Sequence, residues 1–270
     1  MISIVTWMWS GPLRTFLPQH VNALQKMIAA HLPEPHRFIC VCDSSQGLSS
    51  SVEWFETPEA AKQLGLIASP EGPRFPSCYR RLWSFSKEAQ ALGDRILVID
   101  IDLVVLRDMR HVCARDEDFV GWRPYRDWGP KNRVRFGGGI YLLKTGSRAH
   151  VWEEFKGAAS IKRARDAGYR GSDQAWISYR LASGNEVYWD KSFGLYSVRD
   201  LNHQLALPAD ACIVQFNGNE KPWQSRAQWA RAHWARYEDR PAVPVPPSRR
   251  PNESLGQVLG RYKMPRANKP

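Results

Sequence analysis

Apolar residues in this chain gather in short unbroken runs, and between the runs they recur at helical spacing. The run Ile96-Leu97-Val98-Ile99 opens after Gly93-Asp94 and is rich in β-formers, the pattern of a strand buried on both faces of a sheet. Ile2–Trp7 reads as a first strand, expected at one end of the sheet, and Arg37–Asp43 as another that finishes in an acid. Between them Val21, Leu24, Ile28 and His31 share one helical face, with Pro18 suited to the first turn and Pro33 and Pro35 as stops. Strand, helix, strand is a βαβ unit and implies a parallel sheet. Downstream, Val52–Phe55 predicts a short strand and Glu59–Leu64 a short helix. Ser77 predicts the cap of a helix carrying Cys78, Leu82, Phe85, Ala89 and Leu92 at helical spacing. Phe119–Trp122 and Val134–Lys144 read as strands and Arg148–Lys156 as a helix. Ser172 predicts the cap of a helix that opens with Asp173, where a carboxylate suits the helix dipole. Ile213–Phe216 is the last short strand, and a basic helix with Trp229, Trp234 and Tyr237 comes after it.

Composition narrows the class. A chain of 270 residues can bury a sizeable core as one large domain. No apolar run approaches the ~18–20 residues of a membrane helix. The first residues lack the basic stretch that opens a secretory signal, so none is expected. The five cysteines have no C-x-x-C spacing and predict reduced, buried thiols in a cytoplasmic protein. Of the net charge of +11, +6 falls in residues 240–270, where R-P-A-V-P-V-P-P-S-R-R-P reads as proline-rich linker. The expected division is a main domain over 1–239 and a basic tail over 240–270. Such a tail suits either a solvated end or peripheral contact with an anionic membrane; no specific nucleic acid is expected. Twelve tryptophans offer flat faces that stack on sugar rings or bases, although most are expected in the core or at its rim.

The candidate chemistry lies where the central strand stops. Asp100 and Asp102 come after Ile99 with one residue between them, and alternation along an extended chain turns both carboxylates to one side. Ligands of open α/β sheets bind beyond the carboxyl ends of the strands. Two anions held close repel, and a hard divalent ion relieves the repulsion by taking their oxygens. The plainer alternative is two solvated acids at the start of a loop. Arg80 and Arg81, taken alone, read as surface cations; their other use is to meet a phosphate or a sugar hydroxyl. Gly137-Gly138-Gly139 weakens the strand in which it falls, which points to a close approach of backbone to a ligand or to a bend.

Four motifs in fixed order resemble glycosyltransferase family 8, the glycogenin and lipopolysaccharide galactosyltransferase family, from the first strand to Trp223. They are Y-R-R-L before a strand ending Asp100-Ile101-Asp102, then Phe136-Gly137-Gly138-Gly139-Ile140, Asp173-Gln174, and Gln215-Phe216-Asn217-Gly218-Asn219-Glu220-Lys221-Pro222-Trp223. The resemblance implies an α/β protein of GT-A fold, with a mostly parallel central sheet flanked by helices. It implies transfer of a hexose from a nucleotide sugar, most simply a UDP-sugar, to a glycan, lipid or protein acceptor, with retention at the anomeric carbon. By the same resemblance Asp100, Asp102 and Gln215 would hold Mn²⁺ or Mg²⁺, and Lys221 and the Gly218 amide would meet the diphosphate. Thr6 and Trp7 would contact the nucleoside; Arg81, Gly138, Gly139 and Asp173 would hold the donor sugar; Gln174 would lie beside the anomeric carbon. This chain departs from the family pattern at Gln215, where His is usual, and at Gly137, where Asn is usual. An inverting route with Asp173 as general base also stays open.

Two other classes compete. A haloacid-dehalogenase-type phosphatase also ends a strand in D-x-D, the first Asp as nucleophile and the second as acid/base. Against it, the motif comes after a complete βαβ region, and no downstream acid pair reads as completing its Mg²⁺ site. A non-catalytic, basic, Trp-rich relative that binds glycans or polyanions would account for Gln215 and Gly137 without any chemistry.

Overall fold

The structure, a computed structural model, describes residues 1–11, 14–73, 75, 77–123, 132–182, 186–201, 206–218 and 220–239. The proline-rich tail and most of the Arg123–Arg133 loop lie outside the described residues. The chain divides into a unit Met1–Glu238 and a unit Asp239–Pro270.

The elements of the first unit begin with β1 (Ile2–Trp7), a two-residue hairpin β2 (Ser10–Gly11) and β3 (Arg14–Thr15), α1 (Pro18–His31), β4 (His36–Cys42), β5 (Glu53–Glu56) and α2 (Glu59–Leu64). Two 3-10 helices, Tyr79–Phe85 and Lys87–Leu92, lead to β6 (Arg95–Ile99), β7 (Leu103–Val105), α3 (Arg110–Cys113), β8 (Phe119–Trp122) and β9 (Ile140–Lys144). Then come α4 (His150–Glu153), α5 (Ala158–Asp166), α6 (Asp173–Arg180), β10 (Val187–Trp189), β11 (Leu195–Ser197), β12 (Ile213–Gln215) and α7 (Gln228–Trp234).

Seven strands form the main sheet in the order β10-β8-β9-β6-β1-β4-β5, mostly parallel, with β9 antiparallel to both β6 and β8. The first strand is therefore not terminal, as its place in the sequence had implied; β1 lies between β4 and β6. Alternation along the strands supplies both faces with core. Ile4, Phe38, Cys40, Leu97 and Ile99 pack with Val21, Leu24, Met27 and Ile28 of α1. Val5, Ile39, Val41, Ile96 and Val98 pack with Leu82, Phe85, Ala89 and Leu92 of the 3-10 helices. The chain thus leaves β1 on one side toward β4 and returns on the other side as β6, so the strand order reverses between β1 and β6. That reversal opens a crevice at the strand C-termini, the usual ligand site of such sheets.

Several local expectations change. The single helix predicted over Cys78–Leu92 is two 3-10 helices broken at Ser86, whose hydroxyl caps the second by accepting from the Ala89 N–H at 3.2 Å; Ser77 caps neither. Only Ile140–Lys144 of the glycine-bearing segment is strand, because the three glycines form the run-in to it. The helix predicted over Arg148–Lys156 is a single turn, α4, succeeded by α5. All five cysteines are free thiols and four of them are buried. Among the described residues no helix is long and apolar enough to cross a membrane.

Candidate active site

Strand register, rather than sequence proximity, assembles the site. β6 ends at Ile99, paired with Ile140, so Asp100 falls opposite Gly139 and its N–H donates to the Gly139 carbonyl at 2.8 Å. β12 pairs antiparallel with β7, Gln215 opposite Leu103, and the Phe216 N–H donates to the Asp102 carbonyl at 2.8 Å. This second, three-stranded sheet (β11-β12-β7) carries Gln215 across more than a hundred residues to the acid pair. The Gln215 Nε2 donates to Asp100 Oδ2 at 2.9 Å, and its carboxamide lies against Gly139, where a Cβ would overlap it. The glycine run therefore serves close approach at Gly139.

Arg81 holds the centre. Its Nη1 donates to Asp100 Oδ1, while Nε and Nη2 reach Asp173 Oδ2 at 2.9 and 2.7 Å. Arg81 and Asp173 are both almost fully buried, at 4% and 1% exposure. They are no surface cation and solvated cap. Burial alone would lower the Arg81 pKa, but Asp173 and Asp100 hold it well above its ordinary value. Burial raises the Asp173 carboxyl above its ordinary range, and Arg81 opposes that rise. Ser172 stands at the N-cap position of α6 without capping it; its hydroxyl accepts instead from the Cys78 N–H at 2.8 Å. That bond ties the start of α6 to the start of the first 3-10 helix and so fixes Asp173 against Arg81. Gln174 Oε1 accepts from the Gly138 N–H at 3.3 Å, and a Cβ on Gly138 would stand 3.2 Å from Arg81 Nη2 and from Gln174 Cβ.

Lys221 closes the other end, its Nζ paired with Asp102 Oδ2 and 5.5 Å from the Phe16 ring centroid. Trp223 anchors its segment by stacking on His20, centroids 3.8 Å apart. The His20 ring is neutral: burial lowers its pKa to about 4, and its Nδ1 accepts from the Leu17 N–H at 3.1 Å. Gly218 has φ +90° with open space where a Cβ would stand. The Asn217 Oδ1 beside it is buried with no partner among the described residues.

Asp100, Asp102, Arg81, Gly138, Gly139, Asp173, Gln174, Gln215 and Lys221 thus form one cluster. The side chains of Thr6 and Trp7 do not join it. Thr6 Oγ1 donates to the Ile99 carbonyl at 3.0 Å and Trp7 Nε1 to Ser84 Oγ at 3.2 Å, so both point into the protein and leave only backbone at the crevice. Three features had no readable signal in the sequence: the Ser172–Cys78 bond, the His20–Trp223 stack, and the setting of Arg80. The Arg80 guanidinium lies 5.1 Å over Trp9 and against Gly65, with Nε and Nη1 buried and unpartnered among the described residues.

By sequence, no family description and no curated protein matches the chain. By structure, many solved proteins do. The galactosyltransferase LgtC, crystallised with donor and acceptor sugar analogs, aligns at TM-score 0.60 and 14% identity over 89% of this chain and 98% of that one. An active-site mutant of LgtC, glutamine to glutamate, aligns equally well. The glycosyltransferase GlyE of Streptococcus pneumoniae TIGR4 aligns at TM-score 0.54 and 14% identity over 87% of this chain, which spans 60% of GlyE. The fold is GT-A. Within the GT-A frame the acid pair, the buried arginine and the late Lys-Pro-Trp segment meet at the crevice between β1 and β6.

The haloacid-dehalogenase alternative is disfavoured by the fold, since the sheet and its strand order align with GT-A proteins.

Proposed function

We propose that this chain is a glycosyltransferase that moves a hexose from a UDP-sugar to a glycan, lipid or protein acceptor, with a divalent cation at Asp100 and Asp102. One observation carries the reading: Arg81 bridges Asp100 and Asp173 in a buried network to which Gln215 and Lys221 also belong. Structural ion-pair networks are common, but this one lies at the topological switch point and leaves its acids at the mouth of the strands.

The donor set suits a hard cation. Asp100, Asp102 and Asp173 bring three negative charges and Arg81 and Lys221 two positive, so the cluster is one charge negative as it stands. The oxygens of Asp100 and Asp102 are joined by the Gln215 carboxamide, whose Oε1 faces Asp100 once the amide turns over. Among the described residues no group of three His, Cys, Asp or Glu side chains could hold a metal, so the third protein ligand would be Gln215, weaker than the His usual there. Bound Mn²⁺ or Mg²⁺ would act as a Lewis acid on the departing diphosphate.

The chain's own residues supply the rest. Lys221 and the Gly218 amide meet diphosphate oxygens, adding fixed positive charge where negative charge develops. Asp173 and Arg81 take donor-sugar hydroxyls, and rigid burial means that little reorganises during reaction. Gln174, already held by Gly138, lies beside the anomeric carbon. The route is retention by front-face substitution through an oxocarbenium-like state. Inversion with Asp173 as general base is disfavoured, because Asp173 Oδ2 takes both Nε and Nη2 of Arg81 and the ion pair stabilises the unprotonated carboxylate. The acceptor is set by the segments around the crevice.

The test is a hydrolysis screen of nucleotide sugars with and without Mn²⁺, the Asp102→Ala protein as control. Metal-dependent release of UDP that disappears in the control is expected. Phosphate release from simple monoesters, or glycan binding indifferent to EDTA with no donor consumed, would replace the reading with one of its rivals.

A further inference from the structure

We infer that Lys221 is an exchangeable occupant of the cation position, so that metal ion and nucleotide diphosphate bind cooperatively; this rests on the transferase reading above. The two cations of the cluster are held very differently. Arg81 is buried and shared between two carboxylates from separate elements, which fixes it. Lys221 pairs with the single carboxylate of Asp102 and has a side chain 15% exposed on a flexible four-carbon stem. The chain leading to it passes through Gly218, at φ +90° and with open space where a Cβ would stand, while Trp223 pins the far side. Its ammonium can therefore swing from Asp102 while the Pro222–Trp223 anchor stays put.

Charge decides when it does so. With Lys221 in place the cluster stands at one negative charge, and a divalent ion entering beside it would make the pocket net positive and bring two cations onto Asp102. The ion must displace the ammonium, and the displaced ammonium then lacks a carboxylate. A diphosphate supplies the missing partner, two or more negative charges within reach of both cations. Metal alone is thus opposed by Lys221, and metal with diphosphate is assisted by it. By reciprocity each ligand raises the affinity of the other by the same factor. Gln215 behaves in the same sense, giving up its bond to Asp100 to present Oε1.

The experiment is Mn²⁺ binding read by electron paramagnetic resonance of the free ion, on the full chain, with and without UDP. Wild type, Lys221→Met, Lys221→Gln and Asp102→Asn are compared, and their melting temperatures without metal check that all are folded. Wild type should bind Mn²⁺ weakly alone and roughly tenfold or more tightly with UDP, the scale of one charged hydrogen bond. Lys221→Met and Lys221→Gln should bind Mn²⁺ alone roughly tenfold more tightly than wild type and gain less from UDP than wild type does. If those variants bind Mn²⁺ alone no better than wild type, the exchange is wrong even where the transferase reading survives. If wild type and both variants ignore Mn²⁺ with UDP present, the cation site itself is wrong. The metal-alone comparison uses no nucleotide, so a donor with another base would not blur it.

Discussion

Arg81→Met removes the one cation that buried Asp173 has within bonding distance among the described residues, and the consequence is calculable. The change keeps length and apolar stem but leaves Asp173, 1% exposed, and the partly buried Asp100 without their guanidinium. Taking one partner out of a buried ion pair costs about 3–5 kcal/mol, because the remaining charge is desolvated and unmatched. Against a total stability of about 5–15 kcal/mol that is a large share. For a unit of this length it lowers Tm by roughly 6–20 °C, at about 2–4 °C per kcal/mol. The deficit should depend on pH with a definite sign. Burial already raises the Asp173 pKa above its ordinary 3.8, and Arg81 restrains that rise. Without Arg81 the folded carboxyl rises further, so the native state holds a proton that the unfolded chain has released. Stability then falls as pH climbs from about 3.8 through the raised folded value, and acid narrows the gap from wild type. Urea midpoints of both proteins between pH 5 and 8, with Arg81→Met/Asp173→Asn as the third member, measure it. The double variant should recover more than about 1 kcal/mol, since Asn needs no counter-charge. A loss under about 1 kcal/mol, or a pH-independent gap that Asp173→Asn deepens, would show that this arginine does not neutralise Asp173.

Gly139→Ala should place its methyl where the Gln215 carboxamide lies, and because that is the tip of a flexible side chain it moves aside and Asp100 loses one bond. The expected cost is about 1–2 kcal/mol of stability, with weaker Mn²⁺-dependent UDP binding by calorimetry. Gln215→Ala should do the same, and the double variant should be no worse than Gln215→Ala alone. His20 titrates near 4 in the folded protein against 6.5 ordinarily, so its contribution is complete above pH 6.5 and disappears as pH falls toward 4. That is worth up to roughly 3 kcal/mol, and His20→Phe should flatten the wild-type loss of Tm across that window; equal slopes would mean that His20 is not buried against Trp223.

Much of this was legible because it rests on local chemistry. The buried run Ile96–Ile99 with the two acids after it and the βαβ opening come from residue types within a few positions, whereas the neighbour that Gly139 admits is the Gln215 side chain, which its surroundings in the sequence do not indicate. What was not legible depends on register. Nothing in Ile2–Trp7 says that β1 is central, since that depends on β6 returning to its far side. Nothing near Ser172 says that its hydroxyl will serve the Cys78 N–H rather than its own helix. The resemblance would put Thr6 and Trp7 at the nucleoside, but their side chains, on opposite faces of β1, are both buried once β6 and the 3-10 helix pack against that strand.

Arg81 is the sharpest case of this limit. Two adjacent arginines on an amphipathic stretch read as solvated, because burying a guanidinium costs several kcal/mol unless matched. The matching acids lie 19 and 92 residues away and converge only after three elements have docked. Once they have, the same desolvation that argues against a buried arginine argues for its role. A charge so costly to bury, pinned between the first acid of the strand end and the first residue of α6, couples those two elements within one network. Removing either acid leaves Arg81 undermatched, so changes at Asp100 and Asp173 should not be additive.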